Sequence, residues 1–148
     1  MVRRIRVIII FLLLLGMYCI HGANAENVGS TPLKKGSGYV VAYYFHGNYR
    51  CSSCRTIEQY SREAIENNFS YQLEIKKLIF KVINIDLPEN RHFIQDYQLY
   101  TRSLIIVEFK DGKQVVWKNL TKVWEYLGDR DKFHEYVRSE IQKSLEKM

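Results

Sequence analysis

Read for the spacing of apolar and polar positions, the chain divides into short runs with two different periods. "YVVAYYF", 39 to 45, is β-rich and uncharged, as a strand buried on both faces would be. Ile57, Tyr60, Ala64 and Ile65 then fall at i, i+3, i+7 and i+8, one stripe of a helix. "LIFKVINID", 78 to 86, predicts a second strand. Asp86 and Glu89 have capping-box spacing and Pro88 fits a first helical turn, so a helix is expected from about Pro88 to Leu99. "SLIIVEF", 103 to 109, predicts a third strand, Asp111-Gly112 a tight hairpin, and "KQVVWK", 113 to 118, a fourth strand. Asn119 can cap a short helix ending before Gly128. Asp129 can cap a last helix with Phe133, Tyr136, Val137, Ile141 and Leu145 as its apolar stripe.

The resulting order is β, α, β, α, β, β, α, which predicts an α/β fold. Strand–helix–strand units imply parallel pairing with crossover connections, and the hairpin adds an antiparallel edge. The chain contains no G-x-G-x-x-G or Walker loop, so it offers no evident nucleotide or flavin site.

The N-terminal stretch follows a different logic. Arg3, Arg4 and Arg6 precede the unbroken apolar run Val7 to Leu15, and Ala23-Asn24-Ala25 has the small-x-small form of a processing site. This is the pattern of a secretory signal over residues 1–25. The run is short of the ~20 residues that a spanning helix needs. An uncleaved N-terminal anchor is the alternative, and only that form would place the protein at a membrane. Lipidation at Cys19 fits less well, because Met17 and Tyr18 stand where small residues are wanted. "ENVGSTPLKKGSG", 26 to 38, reads as a linker, which leaves 39–148 as a single folded domain. The expected location is periplasmic or extracellular.

Cleavage changes the charge and the cysteine count. Three arginines and no acids leave with residues 1–25, so a net charge of +6 falls to +3. That mild excess, without a block of like charges, gives no reason to expect nucleic acid as a partner. Cys19 is lost as well, leaving Cys51 and Cys54, an even pair that suits an oxidising compartment.

"HGNYRCSSCRT", 46 to 56, places that pair where the first strand turns into the first helix. A helix N-terminus presents unpaired N–H groups and a partial positive charge, and Arg50 and Arg55 add charge beside it. Together they lower the expected thiol pKa of Cys51 below the free value of about 8.5. A spacing of three puts Cys54 one turn behind on the same face. The expected roles are Cys51 as attacking nucleophile and Cys54 as resolving thiol. His46 is a further candidate for tuning the thiolate, or else a partly buried loop histidine. Two other readings stand beside this one. A structural disulfide closing so small a ring contributes little. A metal site built on Cys51 and Cys54 needs four ligands, for which His46, His92 and His134 are the remaining candidates.

The order of elements and the position of the C-x-x-C resemble the thioredoxin-like family over about Tyr39 to Lys147. The resemblance implies a three-layer sandwich with a central mixed sheet of about four strands flanked by helices. It implies a thiol–disulfide oxidoreductase that needs no cofactor beyond its redox-active disulfide and works on a protein thiol or disulfide partner. "YYFHGNYRCSSCRTIE", "PENRHFIQDYQLYTRSL" and "FKDGKQVVWKNLTKVWE" further resemble an exported subgroup that occurs with arsenic-resistance genes and is known as a nitrophenyl compound nitroreductase subunit. On that likeness the alternative is an accessory subunit holding a soft metal or an arsenic species, or serving a redox complex, through the same thiols. Four departures from the family are plain. Arg50 replaces its tryptophan, Ser52-Ser53 replaces Gly-Pro, and the first strand lacks its buried acid. The cis-proline that faces the disulfide would fall near Ser103-Leu104, where no proline stands. The loop expected to face the substrate is therefore Arg102, Ser103 and Leu104, and the missing proline favours a dedicated partner.

Overall fold

A computed structural model describes residues 38–148. The expected signal segment, and all of the linker but Gly38, lie outside the described residues. Gly38 itself is buried: a Cβ there would stand 3.2 Å from the Phe109 carbonyl oxygen, so the folded body already includes this residue.

Four strands form one sheet. They are β1 (Tyr39–His46), β2 (Leu78–Asn84), β3 (Ser103–Lys110) and β4 (Lys113–Asn119), in the order β2-β1-β3-β4. β1 and β2 run parallel, from Val40 opposite Leu78 to His46 opposite Asn84. β3 runs antiparallel to β1, with Phe45 opposite Ser103, and β4 returns antiparallel to β3. Asp111 and Gly112 both have positive φ, 52° and 75°, the tight hairpin expected of that dipeptide.

Parallel pairing therefore holds only for the first strand–helix–strand unit. β2 and β3 do not pair, and the reason lies in their connection. The helix expected from 88 to 99 is a 3₁₀ turn, Pro88–Asn90, followed by one turn of α-helix, α3 (His92–Asp96). Five helical residues cover roughly 7.5 Å, against roughly 23 Å for β2, too little to carry the chain back along the sheet. The capping box also does not form. Leu87 is the N-cap, while Asp86 accepts the Asn48 N–H at 2.6 Å.

Two further differences have local causes. Asn119 ends β4 rather than capping a helix, and only a 3₁₀ turn, Thr121–Val123, follows it. An unexpected short helix, α2 (Ser70–Glu74), follows α1 (Ser52–Asn68), because buried Phe69 leaves helical geometry at φ −132°. The last helix, α4 (Arg130–Leu145), is capped as expected: Asp129 Oδ1 accepts the Lys132 N–H at 3.1 Å.

β1 alternates between the two faces of the sheet. Val40, Ala42 and Tyr44 point to the side covered by α1 and α4, against Ile57, Ala64, Ile65, Phe133, Val137 and Ile141. Val41, Tyr43 and Phe45 point to the other side, against Tyr97, Leu99 and the half-buried Phe93. Helix, sheet and helix make three layers, the arrangement that the resemblance implied. Among the described residues no helix is long and apolar enough to cross a membrane.

α1 and α4 are also joined by charge, since Glu63 accepts from Arg130 Nη2 at 2.9 Å and from Nε at 3.1 Å. These groups are exposed, so the helix pair rests chiefly on its apolar seam. Phe133 is fully buried in that seam. Phe133→Ala is expected to cost about 3–5 kcal/mol, whereas Val116→Ala on the exposed edge strand should stay within about 0.5 kcal/mol. Urea unfolding of both variants checks the contrast.

Candidate redox site

Five residues, 47–51, carry the chain from the end of β1 to the start of α1. Cys51 is the N-cap of α1, with extended backbone at φ −68°, ψ 169°. N-caps usually offer a side-chain oxygen to the first free N–H groups. Here the sulfur does so: Cys51 Sγ accepts the Cys54 N–H at 3.3 Å. The first turn holds no acidic residue. Cys51 and Cys54 form a disulfide with their Cα atoms 5.2 Å apart. Cys54 is only 3% exposed, while Cys51 is partly open to solvent. An incoming sulfur therefore meets Cys51 and not Cys54.

The sheet contributes the floor of the site. Tyr44, fully buried near the end of β1, donates its hydroxyl to the Cys54 carbonyl oxygen at 2.6 Å. Burial pushes the Tyr44 hydroxyl pKa up, and the nearby Arg50 and Arg102 guanidinium groups act in the opposite direction. The hydroxyl is therefore a neutral donor. Arg50 folds back onto α1 in an ion pair with Glu58, which also pairs with Arg62. Arg55 is exposed and has no ion-pair partner among the described residues. His46 sits at the end of β1, stacked on Tyr44, with its Nδ1 2.9 Å from the Gly47 carbonyl oxygen.

The loop before β3 lies against the cysteine loop. Arg102 Nη2 donates to the Tyr49 carbonyl oxygen at 3.1 Å. The crossing is tight at Gly47, where a Cβ would stand 2.7 Å from Asp86 Oδ2 and 3.4 Å from Arg102 Nη2 and would have to push the Asp86 carboxylate aside. Of the three residues expected on the substrate-facing loop, Arg102 reaches the cysteine loop. Ser103 and Leu104 have buried side chains and belong to β3. No peptide bond among the described residues is cis. His92 bonds Asp96 on its own short helix, and His134 lies 3.3 Å from Glu63, about three turns along α1 from the cysteines. Among the described residues no group of three or more His, Cys, Asp or Glu side chains could hold a metal ion.

The fold is thioredoxin-like. The strand order, the pairing directions and the disulfide at the start of α1 establish this on their own. No family model matches the chain, and no curated protein matches it. Solved structures with a related arrangement include a thioredoxin of Fasciola hepatica, 24% identical over 62% of this chain and 81% of that one, with a TM-score of 0.37. Thioredoxin O2 of Arabidopsis thaliana is 16% identical over 65% of this chain and 76% of that one, at 0.39. The thioredoxin of Trypanosoma brucei brucei is 13% identical over 73% and 80%, also at 0.39.

Several residues at this site had no distinct signal in the sequence. Tyr44 and Trp124 read as core or edge aromatics, yet Tyr44 holds Cys54 and Trp124 Nε1 donates to the Arg102 carbonyl oxygen at 3.1 Å. Tyr49 and Tyr100 are 78% and 96% exposed, one on each of the two loops that Arg102 joins. Exposed aromatics on loops beside a C-x-x-C are the signal that could have found them.

Among the described residues, the Tyr44 hydroxyl is the one side-chain bond that ties the sheet to the backbone of Cys54. Tyr44→Phe removes it and leaves the ring in place. The oxidised protein should lose about 1 kcal/mol in urea unfolding, a typical value for one buried hydrogen bond. No change would mean that the bond does not anchor the helix.

Proposed function

We propose that this protein is an exported thiol–disulfide oxidoreductase in which Cys51 attacks or is attacked and Cys54 resolves. The observation that carries the proposal is the division of labour in the Cys51–Cys54 disulfide. One sulfur is accessible at a helix N-terminus, and its partner is buried one turn behind. The accessible sulfur takes the helix N–H groups and the local positive charge, both of which favour its thiolate. The buried thiol is held where it can displace a mixed disulfide at Cys51. The chemistry uses the two sulfurs and no other cofactor.

Export is supported by the basic, apolar and small-residue pattern of residues 1–25, and by the even pair of cysteines that remains after it. A dedicated protein partner is supported by the loop chemistry. Tyr49 and Tyr100 offer exposed aromatic surface of the kind enriched at interfaces, and no proline stands at Ser103-Leu104. The assignment to the subgroup that accompanies arsenic-resistance genes, and with it a role beside a nitroreductase, rests on the three sequence stretches alone.

The test is exchange between the purified protein and a fluorescent peptide disulfide. The wild type should catalyse it, and Cys51→Ser should lower the rate by at least about a hundredfold, since the thiolate is the nucleophile. Cys54→Ser should react once and stay joined to the peptide through Cys51, as read by mass spectrometry. A wild-type rate equal to the uncatalysed one would sink the proposal. A second set of variants separates docking from chemistry. Tyr49→Ala with Tyr100→Ala should raise KM several-fold for a protein disulfide and leave exchange with a small peptide disulfide nearly unchanged. An equal loss on both substrates would show that the tyrosines support the site and not the partner.

A further inference from the structure

The sheet has two edges, and they are not alike. β2 exposes only Lys81 among its seven residues, whereas β4 exposes Lys113, Gln114, Val115, Val116 and Lys118. Being outermost, β4 turns alternate backbone N–H and C=O groups away from the sheet. It contains no proline and no acid. The register shifts beside Glu108, where Val115 is the extra residue between the pairs Phe109–Gln114 and Glu108–Val116. Such a bulge sets two residues opposite one. Val115 and Val116, 50% and 49% exposed, therefore stand side by side at the rim. Next to them a groove of about 380 Å³ runs between β4 and α4, with Ile106 in its lining. Glu108 and Glu140 are buried in its walls, the first held by Lys147 and the second by Lys118 and Lys143. Those three lysine side chains are more than half exposed, and Lys113 stands opposite Lys110 across the hairpin. The rim along β4 is thus apolar in the middle and cationic at both ends.

We propose that the outer edge of β4 is a docking surface, which takes up an extended acidic segment of a partner protein as a fifth strand. An added strand gains affinity from main-chain hydrogen bonds and specificity from the side chains that alternate along it. Here charge decides which segment fits. A second copy of β4, paired antiparallel and centred on the two valines, would set Lys113 opposite Lys118 twice. Like charges directly opposite each other are destabilising, whereas opposite charges there contribute to pairing. Lysines on an edge commonly serve to prevent self-pairing. That role does not account for the two exposed valines between them, since polar residues would blunt the edge better. The segment that fits has apolar residues facing Val115 and Val116 and a carboxylate facing each lysine. Its side chains on the α4 face would lie over the groove. Asn119 at the end of β4 is opposite Ile105, two residues after Ser103. A docked segment therefore runs toward the loop before β3, where Arg102 meets the cysteine loop.

The experiment titrates the whole protein, isotope-labelled for amide spectra, with the peptide TETVVTET. Its lysine counterpart TKTVVTKT and a fully N-methylated TETVVTET are the controls. The first peptide should shift the backbone amides of residues 113–119 to saturation. The lysine peptide should bind at least about tenfold more weakly, because two facing charge pairs change sign. The N-methylated peptide should not bind, since it cannot donate main-chain hydrogen bonds. Lys110→Glu combined with Lys113→Glu should abolish the preference for glutamate, and it leaves Glu108, Glu140 and their lysines in place. The proposal is overturned by equal binding of the two charged peptides, by binding of the N-methylated one, or by the absence of a saturable shift in β4. An unchanged preference in the double variant overturns it as well. So does a concentration-dependent dimer of the protein alone with shifts in β4, which would assign the edge to a second copy. The peptides contain no cysteine, so the outcome is independent of whether Cys51 and Cys54 exchange disulfides.

Discussion

Burial of β1 on both faces is the constraint on which the rest depends. Tyr44 and Phe45 are neighbours, are both fully buried, and face opposite cores. A slip of one residue against β2 or β3 would exchange the two faces, so register is strongly set. Everything that emerges from the end of β1 inherits that register. The loop 47–51 leaves where β1 ends, and α1 must then return over the face that holds Ala42 and Tyr44. Its stripe of Ile57, Ala64 and Ile65 meets that face only if the first turn begins near Cys51. The disulfide thus lies at the boundary of the core as a consequence of packing.

That boundary is also electrostatic. The core face below supplies the Tyr44 hydroxyl, and the loops above supply arginines. Burial holds Tyr44 neutral, so it anchors the helix without adding negative charge beneath the sulfurs. The acids that offset the arginines stand on α1 and on the loop after β2, each already engaged. Charged side chains from three separate parts of the chain, Arg50 with Glu58, Asp86, and Arg102, therefore engage the cysteine loop and the helix that follows it. Charge placed by packing in this way is screened less than charge on a freely solvated surface.

Much of this was legible in the sequence, and what was missed has an identifiable cause. The strands and the two long helices show in their periods because burial writes them there: two for the half-buried edges, 3.6 for α1 and α4. The C-x-x-C placement was legible because it follows a run apolar on both faces. The 88–99 helix was misread because an Asp-x-x-Glu spacing counts only if the Asp side chain is free to cap. Asp86 is drawn away by the Asn48 N–H, 38 residues distant in the chain. The same limit hid Tyr44 and Trp124. Their ring positions follow from pattern, but the partners of their polar ends come from elsewhere in the fold. A parallel arrangement for the second unit failed for a matter of length, which an over-long helix assignment concealed.

The absent proline has a structural counterpart at the loop before β3. With no ring at Leu104, the strand runs straight into the sheet: Leu104 lies opposite Tyr44, and its carbonyl oxygen accepts the Leu120 N–H at 2.8 Å. The carbonyls of Thr101 and Arg102, the two residues before β3, are occupied as well. Ser103 Oγ donates to the Thr101 oxygen at 2.9 Å, and Trp124 Nε1 donates to that of Arg102. A substrate laid along this loop as an extra strand would have to displace those donors before pairing with the backbone. Recognition on the proposed reading then falls to side chains, the exposed rings of Tyr49 and Tyr100 above all. Side-chain recognition discriminates among partners more sharply than backbone pairing, which any extended segment can make. On the proposed reading, the loop before β3 thus fits a thiol exchanger with few clients better than a general one.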